Sequence, residues 1–375
     1  FTPGVSASIT TLVLGSNNQL TGARAVDFSY GQITITQSNN YSGDTTLNGN
    51  GVGHVAVGIG SNSAFGTAAI KLDGTTTWHF GQVNGDRSVS NNITFAGTST
   101  AAWEAGGDQG TSGILNNTNQ GTLTYLGTVD LGGRSNPNIV GRPRATLFLG
   151  DITNGPSGIN YTQGANVGNG SFSWLTSANG GVDKSYGGRT TLGDNSTLVI
   201  DSDRSLGTAG GEVNLGSSII QVQPGSSTVT LSARNFVNTG AKNPGFNTPV
   251  GTTLTVPGTF SGSTTGIFVK QGLGTLVLSG DATTALTTGS LQVRSGTLRL
   301  DAGTFGSAVW TSAQAVALGS ASGTYSNGGT LEITGTSAQS FGAVTVNARA
   351  NNINLTGAMT LTVGSVTRTA GGTLN

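Results

Sequence analysis

Apolar and polar positions alternate along this chain in short bursts. The stretches QITIT, HVAVGIG, AAIKLDG, GTLTYLG and ATLFLG are followed later by STLVID, TTLTVPG, GTLVLSG, GTLRLDAG, GTLEITG and MTLTVG. Each alternates for about four to six positions and then breaks at Gly, Asn or Asp, which is the signature of short strands joined by tight corners. No long stretch carries the 3.6-residue periodicity of an amphipathic helix. One segment, SAQAVALGS (Ser312 to Ser320), predicts a single short helical turn. The chain is therefore expected to be all-β, either a parallel β-solenoid or an antiparallel β-sandwich or barrel.

Internal similarity favours the solenoid. The phrases GTLVLSG (from Gly274) and GTLRLDAG (from Gly296) are 22 residues apart, and SGDTTLNGNG is echoed by GGRTTLGDNS. Self-similarity at periods above about 20 residues marks stacked repeats. At about 22 residues per coil, successive coils would lie ~4.8 Å apart, with Leu276, Val277 and Leu278 among the residues filling the interior. Residues 1–375 read as one continuous solenoid. Three stretches break the rhythm, near 102–120, 151–188 and 234–251, and are predicted to be loop insertions at coil corners.

Composition sharpens this picture. Gly is 63 of 375 residues, charged residues are only 9% of the chain, and Lys+Arg and Asp+Glu are 16 each, for a net charge of zero. Gly without a three-residue period, beside only 8 Pro, excludes collagen. The scarcity of charge has a cause in a stacked solenoid. Like charges one coil apart repel by roughly 1 kcal/mol in water and more near a protein surface, whereas Thr, Ser and Asn stack without that cost. Zero net charge offers no field for nucleic acid. There is no Cys, which removes disulfides and thiolate metal sites. No run of about 18 apolar residues predicts a membrane span.

Three longer phrases resemble the autotransporter-associated β-strand repeat. They are NNYSGDTTLNGNGVGHVAVGIGSNSAFGTAAIKLDG (Asn39 to Gly74), KQGLGTLVLSGDATTALTTGSLQVRSGTLRLDAG (Lys270 to Gly303) and, more loosely, GGRTTLGDNSTLVIDSDRSLGT (Gly187 to Thr208). The second follows the pattern G-x-G-T-L-x-L-x-G and ends on G-x-L-x-V-x-x-G-T-L-x-L. The resemblance covers at most about half of the chain. It implies a right-handed β-helix at the cell surface or outside a diderm bacterium, as in autotransporter passengers and in very large surface proteins of planctomycete- or verrucomicrobia-like bacteria. The translocator barrel that ends an autotransporter has no counterpart in this sequence.

The first and last residues, FTPGVSASITTLVLG and SVTRTAGGTLN, read as parts of the same pattern, since TRTAGGTLN is a phrase that the repeat continues with Phe. An uncapped solenoid offers open backbone edges at both ends. The expectation is head-to-tail stacking with itself, either as separate chains or as tandem units, into a filament or surface fibre. The predicted contact residues are Phe1, Ile9, Leu12 and Leu14 at one end and Leu361, Val363, Val366 and Leu374 at the other.

Candidate chemistry is sparse. DSDR (Asp201, Ser202, Asp203, Arg204), with Asp194 and Glu212 nearby, is the best acidic cluster. Carboxylates on one exposed β-helix face suit polysaccharide cleavage, so a carbohydrate-active enzyme is a third reading. Asp at a strand end is equally a turn former, and Arg204 could pair with one of the two. His54 and His79 are the only histidines, and no G-x-S-x-G elbow, Gly-Lys-Ser/Thr loop or zinc set accompanies them. No cofactor is predicted, and no catalytic role is assigned. Trp103, Tyr161, Trp174, Tyr186 and Trp310 fall mostly in the predicted insertions. If exposed, they would suit contacts with cell-surface glycans, as in an adhesin, or with a neighbouring subunit.

Overall fold

The structure is a computed structural model. It describes all residues except 1–10, 30, 50–54, 76, 84, 97–101, 106–120, 135–136, 142–145, 164–170, 177–178, 239–240, 263–264, 281–288, 303–313 and 322–326. The chain divides into two compact units, Phe1–Thr190 and Thr191–Asn375. Each is a β-solenoid of stacked parallel sheets, and every strand pair among the described residues is parallel. The antiparallel sandwich is not what forms.

In the first unit, one sheet orders Thr11–Leu14, Gly31–Ile35, Val55–Ile59, Trp78–Gln82, Trp103–Ala105, Asn138–Gly141 and Gly158–Gln163. A second orders Val26–Ser29, Thr45–Gly49, Ile70–Gly74, Ile93–Phe95, Val129–Asp130 and Ile152–Thr153. From Arg87 onward a third face joins them: Arg87–Val89, Leu123–Tyr125, Thr146–Phe148 and Ser171–Trp174. The coil length varies. Gln32 pairs with Ala56, 24 residues on, whereas Trp103 pairs with Ile139, 36 residues on. The three-faced interior is filled by rings. Trp103 lies edge-on to Phe80, Phe95, Tyr125 and Phe148 at centroid distances of 5.0–5.9 Å, and Tyr125 stacks on Phe148 at 4.8 Å. Edge-to-face pairs of this kind add about 0.5–1.5 kcal/mol each beyond their area burial.

The second unit is more regular. Its strands Thr253–Val256, Thr275–Leu278, Gly296–Asp301, Gly329–Thr334, Arg349–Thr356 and Gly372–Leu374 form one face. Its opposite face runs from Thr197–Ile200 through Ile219–Val222, Gly245–Asn247, Ile267–Gln271, Ser290–Val293, Ala315–Leu318 and Gln339–Val346 to Leu361–Arg368. Three short strands, Val213–Leu215, Phe236–Asn238 and Phe260–Gly262, add a third face to the earlier coils only.

Register turns the repeated phrases into rows. Leu254, Leu276, Leu298, Leu331 and Ile353 are successive partners, as are Val256, Leu278, Leu300, Ile333 and Leu355. Thr253, Thr275, Thr297 and Thr330 form the half-buried row beside them. Period-two side-chain alternation sends each Leu inward and each Thr outward. Burying one such Leu contributes roughly 1.5–3 kcal/mol. Among the described residues, cross-coil pairs of opposite charge include Lys71 with Asp44 at 2.6 Å, Arg299 with Glu332 at 3.0 Å, and Lys242 with Asp194. Corners need glycine where backbones touch. Gly296 has φ +67°, and a Cβ there would come within 2.3 Å of the Gly272 carbonyl oxygen.

Several expectations change. SAQAVALGS contains no helical turn among its described residues. Ala315–Leu318 is a strand, because Val316 and Leu318 continue the inward row above Leu291 and Val293. Asp203–Leu206 forms a short 3-10 helix instead. The stretches near 151–188 and 234–251 are not simple insertions. They contribute strands Ile152–Thr153, Gly158–Gln163, Ser171–Trp174, Phe236–Asn238 and Gly245–Asn247 to the sheets. In 102–120 the described strand is Trp103–Ala105.

Candidate functional site

The strand Leu361–Arg368 pairs along one side with Gln339–Val346 and ends its sheet. Its register explains why its apolar residues matter. Leu361, Val363 and Val366 lie beside Gln339, Phe341 and Val344, which point inward and are buried. Leu374 pairs with Asn351, also buried. These four residues continue interior rows with no further coil above them among the described residues. Val366 is consequently 55% exposed and Leu374 39%, while Leu361 and Val363 are half-buried. Leu355, one coil below, is 45% exposed. This is an apolar surface with an open backbone edge. In the first unit Leu12 and Leu14 pair with Ile33 and Ile35, Leu12 half-buried and Leu14 buried. Thr11–Leu14 likewise ends its sheet. Phe1 and Ile9 lie outside the described residues.

The acidic cluster folds inward on itself. Ser202 caps the 3-10 helix and accepts a hydrogen bond from the Arg204 backbone N–H. Asp201 is buried and accepts from the Ser205 hydroxyl at 2.9 Å. Asp203 is gripped by Arg234, not by Arg204. The Arg234 guanidinium donates from Nε at 2.6 Å and from Nη2 at 3.0 Å, and is itself fully buried. Burial pushes the Asp203 carboxyl up, but Arg234 and the Ser232 backbone and hydroxyl donors outweigh it and hold the group below its ordinary value. Arg234 also donates to the carbonyls of Leu206, Gly207 and Gly211. Asp203 and Arg234 thus form a structural staple between neighbouring coils. Asp194 is engaged by Lys242 and by the Ser217 backbone N–H.

Two lysines perform a similar task that the sequence did not announce. Lys184 Nζ, fully buried, donates to the carbonyls of Leu149, Gly150, Leu175 and Val182. Lys270 sits in an inward row between Phe246 and Val293 and donates to the carbonyls of Gln271, Gly272 and Ser295 at 2.7–3.1 Å. Burial lowers its ammonium to about 7. The alternation of Phe268 and Lys270 within IFVKQ was the available signal, since it places the lysine on the inward side.

The aromatic residues considered for ligand contact are interior. Trp103, Tyr161, Trp174 and Tyr186 are all fully buried, with Trp174 edge-on to Tyr186 at 6.1 Å. The Tyr186 hydroxyl bonds Thr190 at 2.7 Å. Trp103 and Trp174 sit in strands of three and four residues, too short for alternation to reveal the side they face, and Tyr186 lies outside any strand. Trp310 and His54 lie outside the described residues. His79 is buried, with Ala56 and Glu104 as its ladder partners. Among the described residues no group of three or more His, Asp or Glu is placed to hold a metal, and no helix is long and apolar enough to cross a membrane. No known family, curated protein or solved structure matches the chain.

Proposed function

We propose that this protein is a structural β-solenoid of the bacterial cell exterior, whose coil edges pair with further coils of the same kind to build a filament or surface fibre. The observation that supports it is the open edge of Leu361–Arg368, with Leu361, Val363, Val366 and Leu374 in register with the interior rows. A coil added there would continue the backbone ladder and cover these side chains. The partner coil belongs either to the same polypeptide or to a second chain. The resemblance to autotransporter-associated repeats supports the extracellular setting. The reading assigns no reaction, since Asp201 and Asp203 are engaged by Ser205 and Arg234. Interior rings at Trp103, Tyr161, Trp174 and Tyr186 count against an adhesin that works through those side chains.

Negative-stain electron microscopy of the purified protein, beside its denatured mass, tests this. Fibres with a regular axial repeat are expected, lost in Val363→Asp or Leu12→Asp with the melting temperature retained. Monodisperse particles at high concentration would sink the proposal. The denatured mass separates stacking of individual chains from covalent tandem units.

A further inference from the structure

A groove of about 350 Å³ lies at the corner that joins the two faces of the last coils, lined by Ser320, Asn347, Ala348, Arg349, Thr369 and Ala370 among others. Three observations single it out. The first is backbone strain. Arg349 has φ +103°, a conformation that costs a residue with a side chain of order 1–3 kcal/mol and that Gly would adopt freely. The surroundings hold it there: its N–H donates to the Gly371 carbonyl at 2.9 Å, and its carbonyl accepts from Asn351 Nδ2 at 3.0 Å and from the Thr373 hydroxyl at 3.4 Å. An exposed Arg thus lines the groove at a position whose backbone suits Gly.

The second observation is charge. After Glu332 the chain carries Arg349 and Arg368 and no Asp or Glu. No carboxylate among the described residues pairs with Arg349. From Ile333 to Asn375 the charged side chains are thus cationic only. The third is the lining. Ala321, Ala348 and Ala370 leave room, and Ser320, Asn347 and Thr369 bring polar groups to the wall. Asn347 Nδ2 and the Thr369 hydroxyl proton are spent on the carbonyls of Gly319 and Val346, which leaves the Thr369 oxygen free to accept. A guanidinium beside hydroxyl acceptors fits a ligand that carries both a carboxylate and hydroxyl donors.

We propose that this groove binds a carboxylate-bearing sugar, the Arg349 guanidinium pairing with the carboxylate and Thr369 accepting from a ring hydroxyl. The site lies at a corner of the last coils, beside the edge strand Leu361–Arg368.

Calorimetric titration with trigalacturonate tests it, with neutral galactotriose and inorganic phosphate as comparisons. Saturable binding of trigalacturonate alone is expected, weakened about tenfold or more in Arg349→Gln, the scale of one charge-assisted pair. Arg349→Gly is expected to abolish binding while raising the melting temperature, because it relieves the backbone; a residue serving only stability would lower it. Absence of trigalacturonate binding, or equal binding by Arg349→Gln, overturns the proposal. Phosphate binding as tight as trigalacturonate overturns the assignment to a sugar.

Discussion

The three-faced coils around Trp103 and the two-faced coils around Leu298 solve the same stacking problem differently. In the first region the sheets enclose a wide interior, and Trp78, Phe80, Phe95, Trp103, Tyr125 and Phe148 fill it. In the second, two faces oppose each other closely, and rows of Leu, Ile and Val suffice. Coil length does not follow width: a 36-residue offset separates Trp103 from Ile139, and in the narrow region the 22-residue offsets from Thr253 to Thr275 and from Thr275 to Thr297 are followed by one of 33 from Thr297 to Thr330. Interior width therefore decides which side chains the core needs, and the number of faces per coil decides the width.

Removing side chains tests that contrast most strongly. Trp103→Ala is expected to cost about 3–5 kcal/mol in denaturant unfolding, because the surrounding rings cannot close over so large a hole. Leu276→Ala is expected near the lower end of roughly 2–5 kcal/mol, since the narrow interior can partly collapse. Equal costs would show that width does not control the response.

A pH series sharpens the comparison next, and concerns Lys270. Its folded value is lowered from 10.5 to about 7. Between those values the unfolded chain binds the proton that the folded one has released, so stability rises with pH across that window and is flat in this respect below it. The slope is at most about 1.4 kcal/mol per pH unit. Lys270→Met should remove it, as read by melting temperature from pH 6 to 10; an unchanged slope would assign it to another group.

The smallest effect concerns the charged ladder. Arg299→Glu places like charges on adjacent coils beside Glu332 and should destabilise by about 1 kcal/mol or less at low salt, and less at high salt. An effect that persists in high salt would point to packing of the arginine stem instead.

The regular half of the fold was legible because its register is local in the text. The 22-residue spacing of GTLVLSG and GTLRLDAG is the offset at which Thr275 pairs with Thr297. The aromatic half was not. Trp103 sits in a three-residue strand, too short to show alternation, and its neighbours come from coils far along the sequence. The same holds for Arg234, whose carboxylate partner lies 31 residues earlier. The residues proposed to meet a further coil, Leu361, Val363, Val366 and Leu374, stood out in the sequence as apolar positions, but their exposure required the strand order. Arg349 gave no signal, since backbone strain at a corner has no signature in hydropathy.

The 22-residue offset also bears on how such a chain can change length. Excising one offset between Thr275 and Thr297 would splice a strand onto its own ladder partner with every inward residue still inward. Excising one residue fewer would turn each face over and set Thr into the interior. Recombination between neighbouring repeats, which removes or duplicates whole offsets, is thus the change in length this lattice can absorb, and single-codon slippage within a strand is the change it rejects.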